Sequence, residues 1–96
     1  MVVIPETTVL VVGCGSIGKR HARLLTEVPQ VDVLVCDVLE ENLQAALEEA
    51  PGSRGFRDFD EALAEGPDLV FVCTPNKLHR RFAVAALEAG CHVLCE

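Results

Sequence analysis

Tryptophan and tyrosine are absent from this chain of 96 residues, and four phenylalanines leave aromatic residues at only 4% of the total. A core made from such a sequence rests on Val, Leu and Ala, which a hydrophobic content of 50% supplies in sufficient number. Basic residues are scarce too: eight Lys and Arg against fifteen Asp and Glu leave a formal charge of −7. Those few cations are scattered rather than gathered into a patch, which argues against nucleic acid as a partner. No apolar run approaches the ~20 residues that span a bilayer, and residues 1–12 carry neither a basic n-region nor a small-residue cleavage site. The expected setting is therefore soluble and cytoplasmic, with no membrane partner. The cysteines Cys14, Cys36, Cys73, Cys91 and Cys95 are odd in number and form no Cys-x-x-Cys pair. They argue against a disulfide framework, and no His, Cys or acid spacing suits a metal. Cys36, Cys73 and Cys95 end strand-like runs and read as small buried hydrophobes.

What the chain does have is a strict alternation of strand and helix, with no repeat, linker or low-complexity stretch. Val9–Val12, Val31–Cys36, Leu69–Cys73 and His92–Cys95 read as strands buried on both faces of a parallel sheet, with a short strand expected around Arg54–Phe56. Between them the spacing predicts helices over Ser16–Glu27, with the stripe Ile17, His21, Leu24, Leu25 and Val28, and over Leu39–Ala50, stopped by Pro51-Gly52. Asp58 and Glu61 have capping-box spacing for a short helix ending at Gly66-Pro67. A last helix over Lys77–Ala89 takes Asn76 as its N-cap and Gly90 as its stop. Right-handed crossovers between parallel strands then give the order 3-2-1-4-5. The expected fold class is α/β: a Rossmann-type three-layer sandwich, helices on both faces, truncated against the six strands usual for such a unit.

The most informative segment is Gly13-Cys14-Gly15-Ser16-Ile17-Gly18, directly after the first strand and directly before the first helix. A backbone that holds a phosphate must approach it more closely than a Cβ allows, and a strand-to-helix turn needs a residue free to take positive φ. Gly13 and Gly15 meet those needs. Gly18 lets the helix lie close to the strand, with its N-terminal amides facing a pyrophosphate. Cys14 sits in that turn near a helix N-terminus, a setting that lowers a thiol pKa and sensitises it to oxidation or alkylation. Asp37 follows Gly18 by nineteen positions at the end of the second strand, where an acid accepts bonds from an adenosine ribose. Asp37-Val38-Leu39-Glu40 is also a capping-box pattern, so a structural role at the second helix competes. In the ribose role, Asp37 repels a 2′-phosphate and favours NAD over NADP, with Arg54, Arg57 and Arg20 left as residues that would change that balance by reaching the site.

Two further stretches carry a more specific signal: Asp68 to His79, with Thr74-Pro75-Asn76-Lys77-Leu78-His79, and Ala86 to Glu96, with Ala89-Gly90-Cys91-His92-Val93-Leu94-Cys95-Glu96. Together with Gly18-Lys19-Arg20-His21 they resemble the Gfo/Idh/MocA family, named for glucose-fructose oxidoreductase and inositol dehydrogenase, over essentially the whole chain. The resemblance implies that Thr74, Pro75 and Asn76 line the cofactor crevice, where turn chemistry alone would make them a strand-to-helix turn with a cap. It also implies that Glu96 lies near the nicotinamide ribose, that a catalytic Lys follows it, and that a separate substrate domain carries a catalytic His. On that reading residues 1–96 are the NAD(P)-binding domain, with no catalytic residue of their own and the substrate domain absent.

His21 lies on the helical stripe and reads as a hydrogen-bonded packing residue, and His92 as structural. His79 falls in the first turn of the last helix at the crevice mouth, where a contact to the bound molecule and a packing role both fit. The expected function is the nucleotide-binding part of an NAD-dependent oxidoreductase acting by hydride transfer on a sugar, polyol or related small hydroxyl compound. The alternative is a domain that binds NAD as a sensor or scaffold without turnover. Assembly into a homo-oligomer is left open.

Overall fold

A computed structural model describes residues 7–96, Asn76 through its backbone alone. Five strands and four helices alternate: β1 (Thr7–Val12), α1 (Ser16–Thr26), β2 (Val31–Cys36), α2 (Glu40–Glu49), β3 (Arg54–Phe56), α3 (Phe59–Leu63), β4 (Leu69–Val72), α4 (Asn76–Glu88) and β5 (His92–Cys95). All pairings are parallel and the order is β3-β2-β1-β4-β5. The sheet is thus the expected Rossmann arrangement, with β1 at its centre. Thr7–Val12 runs in register with Val31–Cys36 on one side, and Val9–Val12 with Leu69–Val72 on the other.

Alternate residues of the central strands feed two separate cores. On one face Leu10, Val12, Leu34, Cys36, Val70 and Val72 pack with Ala62 of α3 and Ala86 of α4. On the other, Val11, Val33 and Val35 pack with Ala22 of α1, with Leu43 and Ala46 of α2, and with Ala50 directly after it. Leu10, Leu34, Val11 and Val35 are fully buried, the condition that makes a strand read as a continuous apolar run. Aromatic residues contribute at the edge of the first core, where Phe59 meets Phe82 edge-on with centroids 4.8 Å apart.

Several helical details depart from the sequence pattern. The face α1 turns to the sheet is Gly18 and Ala22, both buried, while Ile17, Leu24 and Val28 of the expected stripe are 54%, 44% and 48% exposed. Small residues win the contact because they allow the helix axis to come closest. The N-cap of α4 is Pro75, with Asn76 its first helical residue; the expected capping side chain of Asn76 lies outside the described residues. Asp58 caps α3 as expected, its carboxylate accepting from the Asp60 amide at 2.9 Å.

The cysteines are free, and Cys14, Cys36 and Cys91 are buried, but Cys95 is exposed on the edge strand β5. Burial pushes the thiols of Cys14 and Cys36 up to about 12 and that of Cys73 up to about 11. A thiol whose pKa is raised by folding stabilises the fold below its unfolded value and loses that contribution as the pH rises. Stability should therefore fall above about pH 8.5, by about 1.4 kcal/mol per pH unit for each of these thiols until its own folded pKa is reached. Thermal melting between pH 8 and 11 checks this, and replacing Cys36 by Ala should flatten the slope. Iodoacetamide at pH 8 should label Cys95 well before Cys14 and Cys36, as peptide mass mapping would show.

Candidate functional site

The chain leaves β1 at Val12 and turns at Gly13, whose φ of +93° is open to glycine and strained for other residues. Gly13 donates its amide to the Cys36 carbonyl at 2.9 Å. On the opposite side a Cβ at Gly13 would lie 2.7 Å from the Thr74 amide nitrogen, so the turn is wedged between the ends of β2 and β4. Gly18 is held still more tightly, since a Cβ there would stand 1.8 Å from the Gly13 carbonyl oxygen. Gly15 differs from both. It is exposed with φ −73°, and a Cβ there would have no atom within 4 Å. Nothing within the described residues requires glycine at position 15, which is the N-cap of α1 and leaves the helix with no side-chain cap.

Asp37 faces this turn from the end of β2. Its Oδ2 accepts from the Cys14 amide at 2.8 Å and from Asn42 Nδ2 at 3.4 Å, and its Oδ1 accepts from the Leu39 amide at 2.8 Å. The competing capping box does not form, and this tighter local turn stands in its place, because the N-cap of α2 is Leu39 and no side chain caps it. A carboxylate offers about four acceptor positions. The two short bonds and the long one leave capacity for a hydroxyl from outside.

Cys14 contributes its backbone to this arrangement and not its thiol. The side chain is fully buried, with Sγ donating to the Cys36 carbonyl at 3.5 Å. Burial first, then the neighbouring Asp37 charge, raise its pKa to about 12. The expected activated thiol is therefore corrected to an inert one: the helix N-terminus is near, but the side chain points into the core.

A cleft of about 1010 Å³ opens across the carboxyl ends of β1, β2 and β4. Gly13, Gly15, Ser16 and Ile17 form its floor, Asp37 one side, and Thr74, Pro75 and Glu96 the other. Cys14, Gly18 and His79 do not line it. The Nε2 of His79 is buried without a hydrogen-bond partner, as is Thr74 Oγ1 at the cleft. Glu96 is tied back to the first helix, with Oε1 2.8 Å from His21 Nε2, and the His21 ring stacks on Phe71 at 5.3 Å with 7° between planes. His21 is thus the hydrogen-bonded packing residue expected of it.

Sequence reasoning missed the other side chains that close the cleft beyond Asp37: Val38, Leu39 and Asn42, then Asp58, and Leu78, Arg81 and Phe82 from α4. Of the three arginines considered near Asp37, Arg57 lines the cleft, while Arg54 is occupied by Asp32 at 2.8 Å and Glu65 at 2.6 Å. A usable signal existed, because Arg57 follows β3 as Asp37 follows β2, and register pairs Cys36 with Phe56. No group of three or more His, Cys, Asp or Glu side chains suited to a metal ion occurs among the described residues. No helix there is long and apolar enough to cross a membrane.

A doubly wound parallel sheet with a glycine turn and an open cleft at its switch point defines a Rossmann nucleotide-binding domain. Residues 7–96 match the oxidoreductase family with an NAD-binding Rossmann fold, GFO_IDH_MocA, and the chain belongs to that family. It is 40% identical over 92 residues to D-glucoside 3-dehydrogenase of Escherichia coli (strain K12), covering 92% of this chain and 26% of that protein. It is 37% identical over 99 residues to inositol 2-dehydrogenase of Leifsonia xyli subsp. xyli (strain CTCB07), covering 100% of this chain and 29% of that protein. Among solved structures, GenD2 from gentamicin A biosynthesis, in complex with NAD, superposes with a TM-score of 0.86 at 35% identity, covering 96% of this chain and 27% of that one. The chain thus spans about a quarter of the length of the relatives it matches.

Gly18 and Gly15 should separate by experiment. Gly18→Ala forces a methyl into the Gly13 carbonyl and should cost about 3 kcal/mol or more, abolishing cooperative melting or lowering it sharply. Gly15→Ala meets nothing and should cost about 1 kcal/mol or less, the scale of a poorer N-cap. Thermal melts of the two variants side by side check the contrast.

Proposed function

We propose that the cleft binds NAD(H) and that the whole protein is an NAD-dependent oxidoreductase acting on a sugar, polyol or related small hydroxyl compound. The observation that carries the reading is Gly15: an unobstructed glycine at an uncapped helix N-terminus, beside a carboxylate with acceptor capacity to spare. A Cβ at that position would fill the space a pyrophosphate needs, and free first-turn amides with the helix dipole favour an anion there. In this reading Gly13, Gly15, Ser16 and Ile17 hold the pyrophosphate and Asp37 the adenosine ribose. The apolar walls of Val38, Leu39, Leu78 and Phe82 flank the adenine. Cys14 and Gly18 serve through backbone and close packing. Thr74, Pro75, Asn76 and Glu96 lie toward the nicotinamide, and the buried, unpartnered Thr74 hydroxyl supports a polar contact on that side. His79 is given a packing role.

When bound, the nicotinamide supplies hydride exchange with a hydroxyl-bearing carbon. Proton transfer and substrate contact fall to a part of the protein beyond these 96 residues, consistent with the quarter length covered in the dehydrogenases it resembles. The substrate class rests on those relatives, which are named for glucosides and inositol.

Calorimetric titration should find NAD(H) bound more tightly than NADP(H), because the Asp37 carboxylate accepts from ribose hydroxyls and repels a 2′-phosphate. Asp37→Ala should shrink that discrimination by about 1–3 kcal/mol, the scale of a charge-assisted bond. Equal affinity for both cofactors before substitution would overturn the assignment of Asp37. Gly15→Ala should weaken NADH binding at least about tenfold while leaving the fold intact, since the lost interaction is with the ligand. Following NADH absorbance with the full-length protein over a panel of polyols and sugars tests the activity.

A further inference from the structure

The side chain of Arg57 reaches from the end of β3 over the loop that follows Asp37. Its Nη2 donates to the Val38 carbonyl at 2.8 Å and its Nε to the same oxygen at 3.2 Å, while Nη1 lies 3.4 Å from Glu40 Oε2. Glu40 is itself held from its other oxygen, with Oε1 accepting from Gln44 Nε2 at 2.9 Å. The guanidinium therefore lines the same cleft as Asp37, one residue away along the loop, yet is turned onto backbone and a glutamate.

We propose that the Gln44–Glu40–Arg57 chain is a second determinant of cofactor choice, withholding from a ribose 2′-phosphate a guanidinium that stands close enough to pair with it. The inference rests on the NAD(H) reading of the cleft and goes beyond Asp37. A guanidinium is the group best matched to a phosphate, through its planar fork of donors. Near the ribose position it would by itself recruit NADP, offsetting the repulsion from Asp37. Glu40 cancels that effect twice: it occupies the Nη1 edge, and it adds a second negative charge beside the guanidinium that would attract the phosphate. Both side chains are more than half exposed, at 59% for Arg57 and 55% for Glu40, so the pair is weak and its effect on cofactor choice is modest.

The experiment is a measurement of NADH and NADPH dissociation constants by the fluorescence of the reduced cofactor. It compares the unsubstituted protein, Glu40→Gln, Arg57→Ala and the double variant, each checked for folding by its melting curve. Glu40→Gln should tighten NADPH binding about three- to tenfold, the range expected from freeing a surface ion pair to engage a phosphate, with NADH changed by less than about twofold. In the double variant the gain for NADPH should disappear. An unchanged NADPH constant in Glu40→Gln overturns the proposal. A gain that persists in the double variant overturns it too, since charge removal alone would then account for the effect. Failure of the unsubstituted protein to bind NADH overturns the reading of the cleft, whereas NADH binding with no Glu40 effect removes this inference alone.

Discussion

The contact on which the rest of the site depends is the one between Gly18 and the carbonyl of Gly13, where a single added carbon would fall 1.8 Å from oxygen. It brings the first turn of α1 against the strand-end turn that precedes it, with Ala22 continuing the same close face one turn later. Because α1 is that near, its open N-terminus lies directly over the carboxyl end of β1. The amide of Cys14 is then within reach of Asp37 on the next strand, and the backbone of Gly13 within reach of Thr74 on the strand beyond. Three loops from three strands are thereby fixed by one steric condition.

An acidic chain that holds an acidic ligand has to separate its charges, and this one does so by distance and by backbone. The carboxylates at the cleft, Asp37, Asp58, Asp60 and Glu96, stand on its sides, while the turn at its floor presents glycines and uncapped amides. Peptide dipoles there favour an anion without a lysine or arginine, even in a chain of net charge −7. Arg57 and Arg81 are the cations that line the cleft, and Arg57 is already committed to Val38 and Glu40.

The strands were legible because burial on both faces leaves an unbroken apolar run, and runs such as Val9–Val12 and Val33–Cys36 admit few other readings. Their order followed from crossover geometry. The close face of α1 was legible at Gly18 but not at Ala22, because hydrophobic periodicity weights Ile17, Leu24 and Val28 above a small residue that close packing selects. The thiol of Cys14 was misread for a related reason: proximity to a helix end is visible in a sequence, and the direction of a side chain is not. Arg57 was considered beside Arg54 and Arg20, but which of the three lines the cleft depends on the register of the short strand β3 with β2. Glu96 meeting His21 joins residues 75 positions apart and left no local trace.

The central place of β1 also has a temporal meaning. Its partner on one side, β2, follows within about two dozen residues, but its partner on the other, β4, begins only at Leu69. A chain emerging from the ribosome can join β1, α1 and β2 early, whereas the second flank of β1 stays bare until β4 has been made. Pairings of such long sequence separation are the slow ones to form. Since the cleft needs loops from both flanks, the site is among the last features of the domain to exist, complete only when the newest strands have closed over the oldest.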